Sequence, residues 1–129
     1  MVVSIIVTTF DCHDPALMAE FWALALGYVI DDRNAPEVVE ISDPSGVGHG
    51  LQFIRVPETK AVKNRLHLDL LAQVSITDEV RRLVSAGATE IGRHEHPEGY
   101  VEPWEWTVLQ DPEGNEFCLL SADSVTGLG

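Results

Sequence analysis

Residues 3 to 10 read VSIIVTTF, apolar and polar positions carried mostly on β-branched side chains, which predicts a half-buried first strand. Helix punctuation follows at once. Asp14 can cap a helix, Pro15 fits its first turn, Leu17, Phe21 and Leu24 share a face, and Gly27 can end it. Strand-like runs YVIDD, EVVEIS and LQFIRV come next, the last two joined by the turn Asp43-Pro44-Ser45-Gly46. The predicted order is βαβββ.

From Asn64 the order returns. RLHLDLLA is strand-like, Thr77 can cap a second helix with Val80, Leu83 and Val84 on its apolar stripe, and Gly87 can end it. ATEIGRH, WEWTVLQ and EFCLLS follow, the last two joined by Asp111-Pro112-Glu113-Gly114. Gly27 and Gly87 are 60 residues apart, as are Val7 and His67, whereas Asp43 and Asp111 are 68 apart. An excess in the second half, placed at HEHPEGYVEPW (94–104) with its two prolines and glycine, reconciles the spacings. The fold class predicted is α+β: two tandem βαβββ modules, 1–60 and 64–122 of a single domain, forming a curved mixed sheet around a cleft suited to a ligand. The extra loop is expected to border that cleft.

Composition narrows the function classes. The 129 residues are 45% apolar and 22% charged, with no apolar run near the roughly 20 residues of a membrane helix, so a soluble, single-domain protein is expected. The N-terminal run has no basic region and meets Asp11 and His13 at once, so it reads as a strand and not a leader, and a cytoplasmic location is expected. Cys12 and Cys118 are too few for a disulfide framework. A net charge of −13 opposes polyanions, which argues against nucleic acid as a partner.

FWALALGY, NRLHLDL and the run WTVLQDPEGNEF carry a resemblance to the vicinal oxygen chelate superfamily, in particular its short glyoxalase-like and bleomycin-resistance-like members. The resemblance spans nearly the whole chain. It implies paired βαβββ modules, often a homodimer, and a cleft that in metal-dependent relatives holds one divalent cation through four side chains. Those ligands come from the first and last strand of each module, and they carry over to Val7, Gln52, His67 and Cys118. Val7 has no donor atom, Gln52 offers a poor oxygen, His67 is a real candidate, and Cys118 stands where enzyme-type relatives carry a glutamate. This set is not the hard, oxygen-rich one that such relatives use, so no metal cofactor is expected. The function expected is binding of a small organic molecule in the cleft. The alternatives are a metal-dependent lyase or isomerase of the glyoxalase type and a drug-sequestering protein of the bleomycin-resistance type.

His67 and Asp69 alternate with Leu66, Leu68 and Leu70, so period two puts the polar pair on one face and the leucines on the other, under the helix. The pair is a candidate for catalysis, with the imidazole oriented beside a carboxylate, or for a structural hydrogen bond between strands. Trp104 and Trp106 flank Glu105 on one face of a strand, where they can stack on a flat ligand or pack the core, while Trp22 reads as core. Gln52, Trp104, Trp106 and Cys118 are the candidate ligand contacts. No base adjoins Cys118, so it reads as a small apolar filler ahead of a nucleophile. His94, Glu95 and His96 share metal-binding residue types but read as a solvated loop. A pattern of His67, Asp69 and a distal histidine also fits a two-histidine, one-carboxylate iron site; the repeat argues against the jelly-roll that chemistry prefers.

Overall fold

The structure, a computed structural model, describes residues 1–95 and 105–121. Trp104, His96 and most of the extra loop lie outside them. The chain divides into two compact units, Met1–Ala61 and Val62–Gly129.

The first unit runs β1 (Thr8–Cys12), α1 (Pro15–Leu26), β2 (Val29–Asp31), β3 (Val38–Ser42) and β4 (Leu51–Arg55). Its sheet order is β1-β4-β3-β2, with β1 parallel to β4 and the other pairs antiparallel. The second unit repeats the plan with β5 (Leu68–Ala72), α2 (Ile76–Ala86), β6 (Thr89–Glu95), β7 (Glu105–Gln110) and β8 (Glu116–Ser121), in the order β5-β8-β7-β6. The predicted duplication is thus present as two four-stranded mixed sheets, each with one helix.

Helix α1 begins where Asp14 Oδ1 accepts from the Leu17 N–H at 3.1 Å, has Pro15 in its first turn and stops at Gly27. Its buried side is not the Leu17/Phe21/Leu24 face expected. Met18, Ala19, Phe21, Trp22 and Ala23 are buried, whereas Leu17 and Leu24 are exposed, because the covered face is centred on the Pro15/Met18/Trp22 row and Leu17 and Leu24 point the opposite way. Trp22 joins the core as expected, with Phe10 at 5.6 Å and Phe21 edge-on at 5.3 Å between ring centroids. Val39, Ile41, Leu51 and Phe53 complete the layer from the strands.

The cap of α2 is Ser75, whose hydroxyl accepts from the Asp78 N–H at 3.2 Å, and not Thr77. Both are good caps; Ser75 starts the helix two residues earlier and leaves Asp78 and Glu79 in the first turn, where the helix dipole favours acids. Val80 and Leu83 are buried but Val84 is exposed. Thr107, Leu109, Phe117 and Leu119 are buried on the strands, and among the described residues the Thr107 hydroxyl has no hydrogen-bond partner.

Both Asp-Pro-x-Gly turns close the same way. The Gly46 and Gly114 N–H groups each reach back 2.9 Å to the carbonyl of the turn's aspartate, with φ of 79° and 85°. Only glycine holds that left-handed conformation without strain. The first strand is shorter than expected, beginning at Thr8, because its partner β4 begins at Leu51 and the preceding residues turn away through Asp43–Gly50. The excess of the second half is partly strand: β6 has 7 residues against 3 in β2, so His94 lies in a ladder opposite Trp106 and not in a loop.

Candidate functional site

The site is assembled on the second sheet. Strand β8 alternates Glu116, Cys118 and Leu120 with Phe117 and Leu119, and β5 sets Asp69 directly beside Cys118. On β7, Trp106 pairs with Leu120 and Val108 with Cys118. Period two therefore gathers Asp69, Cys118, Val108, Trp106, Leu120 and Glu116 on one face, where with Lys63 and His67 they line a cavity of about 490 Å³. The walls are mostly apolar, and the polar groups sit together towards β5.

His67 stands just before β5, outside the ladder in which it was expected. Its imidazole nevertheless shares the face of Asp69, with Nε2 3.3 Å from Asp69 Oδ1. The connection holding it is built from Asn64 and Lys63. Asn64 Oδ1 accepts from the Glu116 N–H at 3.1 Å, its Nδ2 donates to the Leu66 carbonyl at 3.2 Å, and Lys63 Nζ meets Glu116 Oε1 at 2.7 Å. These tie the segment ahead of His67 to β8. No short-range pattern announces them, because Asn64 and Glu116 lie 52 residues apart and meet only through the pairing of β5 with β8.

The leucines behave differently from the expectation. Leu68 and Leu70 are only half-buried and Leu66 is exposed, because β5 is an edge strand and starts after Leu66.

Cys118 is 7% exposed. Burial, then the negative charge of Asp69 and the bond the thiol donates to it, then Glu116, push its pKa up to about 11, with Lys63 opposing. A thiol held neutral at physiological pH is a poor nucleophile. His67, Asp69 and Cys118 place a nitrogen, an oxygen and a sulfur within 4.8 Å of one another, so they form the candidate metal-ligating cluster of this unit among the described residues.

Trp106 is half-buried and stacks under His94, with ring centroids 5.7 Å apart and planes 23° from parallel. Its indole is thereby fixed as one wall of the cavity. Gln52 belongs to the first unit, where its Oε1 accepts from the Thr9 hydroxyl at 3.0 Å and its Nε2 donates to Glu40 at 3.2 Å. It occupies the position in β4 that Cys118 occupies in β8, each beside the first strand of its unit.

Residues 7–120 match the family model described as a glyoxalase-like domain. The chain belongs to the glyoxalase-like domain family. Comparison with curated protein sequences gives no match. Among solved structures, this glyoxalase-like chain is similar to a glyoxalase/bleomycin resistance protein/dioxygenase family enzyme from Burkholderia phytofirmans, with a TM-score of 0.71 at 19% identity over 92% of this chain and 98% of the other. A glyoxalase-related enzyme from Fulvimarina pelagi gives 0.69 at 17% identity, covering 95% and 90%. Lactoylglutathione lyase from Agrobacterium tumefaciens gives 0.63 at 12% identity, covering 95% and 96%. At these identities the likeness establishes the glyoxalase fold.

Proposed function

We propose that this glyoxalase-like protein binds a small, flat organic molecule in the cavity of its second unit, with His67 and Asp69 as the polar contacts and without the divalent metal of its metal-dependent relatives. The observation carrying this reading is the placement of an accessible His67–Asp69 pair beside a largely apolar wall that includes Trp106. A flat ligand can lie against the indole, Val108 and Leu120 while its polar edge meets the imidazole. With Nε2 turned to Asp69, Nδ1 is the nitrogen left to accept a proton, so the pair can also serve as a base towards a bound acid.

The donor chemistry does not fit the metal. Val7 supplies no ligand atom, and Cys118 replaces a carboxylate with a thiol whose proton, at a pKa of about 11, would have to leave before a cation could bind. The mixed nitrogen, oxygen and sulfur cluster is softer than a site built for divalent Lewis-acid catalysis.

The test uses 1-anilinonaphthalene-8-sulfonate as a flat aromatic probe, titrated into the wild type and into the His67→Ala and Trp106→Ala variants. Each variant is expected to weaken saturable binding by about tenfold, the effect of losing one buried contact of roughly 1.4 kcal/mol. Elemental analysis of the same wild-type sample is expected to find less than one zinc, nickel, manganese or iron per chain. Equal probe binding by all three proteins would overturn the pocket assignment, and one tightly held metal per chain would overturn the metal-free reading.

A further inference from the structure

On the side of the second sheet away from His67 and Asp69, a cavity of about 310 Å³ opens between α2 and the edge strand β6, lined by Thr77, Val80, Arg81, Val84, Glu90 and Arg93. Each element delivers its share for a local reason. Thr77, Val80, Arg81 and Val84 recur at helical spacing and so share one side of α2. Glu90 and Arg93 are three residues apart, which regular alternation would send to opposite faces of β6, but the bulge between Glu90 and Gly92 brings them to the same face, opposite Leu109 and Thr107. The corresponding places on α1 are apolar. Counted back from the glycines that end the helices, Leu17, the buried Phe21 and Leu24 stand where α2 has Thr77, Arg81 and Val84.

The guanidinium groups of this cavity are weakly held. Acids outnumber bases 21 to 8, yet Arg93 has no hydrogen bond or ion pair among the described residues, and Arg81 reaches Asp78 only at 3.5 Å with both side chains exposed. Arg82, by contrast, is closed on Glu79 at 2.6 Å. Beside Arg93 in the ladder stands Thr107, whose fully buried hydroxyl also lacks a hydrogen-bond partner among the described residues. We propose that this cavity binds a small organic monocarboxylate, its carboxylate held between Arg81 and Arg93 and its apolar body on Val80 and Val84. A guanidinium fork matches a carboxylate, and the valines call for a ligand that is more than an inorganic anion. Glu90 sets the charge: one carboxylate beside two guanidinium groups leaves a single positive charge, which a monoanion matches and a second acid group opposes. The volume lies at the lower end of the roughly 300–1,000 Å³ of ligand pockets, so the ligand is small. No residue is shared with the cavity of His67 and Asp69, so either reading can fail alone.

NMR titration of the isotope-labelled full chain with sodium isovalerate is the test, followed at the backbone amides of α2 and β6 and at the arginine Nε–H groups. Isopentylamine serves as the same body with the opposite charge, and succinate as a dianion. The wild type is expected to bind isovalerate saturably, with a Kd on the order of 1 mM, and to bind neither the amine nor succinate comparably. Arg81→Gln and Arg93→Gln are each expected to weaken isovalerate by at least about tenfold, and Glu90→Gln to admit succinate. Arg82→Gln should leave binding unchanged, since Glu79 holds that side chain outside the cavity. All four positions are exposed, so the circular dichroism spectrum should not move. Shifts that do not saturate, shifts equal with the amine, equal binding by the Arg82→Gln and Arg93→Gln variants, or inorganic phosphate binding as tightly as isovalerate would each overturn the site.

Discussion

Cys118 lies on the same strand face as Glu116 and beside Asp69, in a position nearly closed to water. Both carboxylates and the burial favour the neutral thiol, which is why its pKa rises from an ordinary value near 9 to about 11. The proton is held more tightly in the folded chain than in the unfolded one. The resulting stabilisation is fully present below about pH 9 and is lost as the pH climbs through 11. Iodoacetamide at pH 8, followed by peptide mapping, should therefore alkylate Cys118 about a hundredfold more slowly than in the urea-unfolded chain, and Asp69→Asn should speed the folded reaction by lowering the thiol pKa. Alkylation at the unfolded rate would show that these carboxylates and the strand do not hold the proton.

At the scale of elements, the twice-used turn shows how one sequence motif acts with different weight in two settings. The Asp111 carboxylate is buried and accepts from the Glu113 and Asn115 N–H groups and from Asn115 Nδ2 at 2.9–3.2 Å. Asp43 makes the analogous bonds to the N–H groups of Ser45 and Gly48, both at 2.8 Å, in an open loop. Those N–H groups hold the Asp43 carboxyl below the usual range, so its contribution is present at neutral pH and is lost as the pH falls below about 3.8. Asp111→Ala leaves several half-buried donors without their acceptor and is expected to cost roughly 1–3 kcal/mol in urea unfolding. Asp43→Ala should cost less, because water can replace its acceptor. A larger loss at Asp43 than at Asp111 would refute burial as the deciding factor.

For the whole molecule the dominant electrostatic fact is 21 acidic against 8 basic side chains. Several pairs neutralise locally: Arg33 with Asp31, Arg82 with Glu79 and Lys63 with Glu116. The remaining excess repels itself, and compaction brings those charges together. Raising NaCl from about 10 mM to about 200 mM shortens the screening length from roughly 30 Å to below 10 Å. The melting temperature is expected to rise by a few degrees over that range in differential scanning calorimetry. A fall would mean that the local ion pairs outweigh the net repulsion. No helix among the described residues is long and apolar enough to cross a membrane.

The sequence by itself determined the two βαβββ modules, their helix terminators at Gly27 and Gly87, the paired turns, and the shared face of His67 and Asp69. These follow from local chemistry: a capping oxygen, a glycine with positive φ, a period of two. Tertiary structure decided where each pattern stops. Whether β-branched residues at 3–7 pair depends on where β4 begins, and whether Leu68 is buried depends on β5 being at an edge. That Ser75 and not Thr77 caps α2 shows only in the bond its hydroxyl accepts from the Asp78 N–H. The stacking of His94 on Trp106 and the link from Asn64 and Lys63 to Glu116 join residues 12 or more positions apart, so no local signal could announce them. Cys118 shows the division most clearly: its residue type was legible, but the raised thiol pKa exists only because the fold buries the thiol and pairing sets a carboxylate beside it.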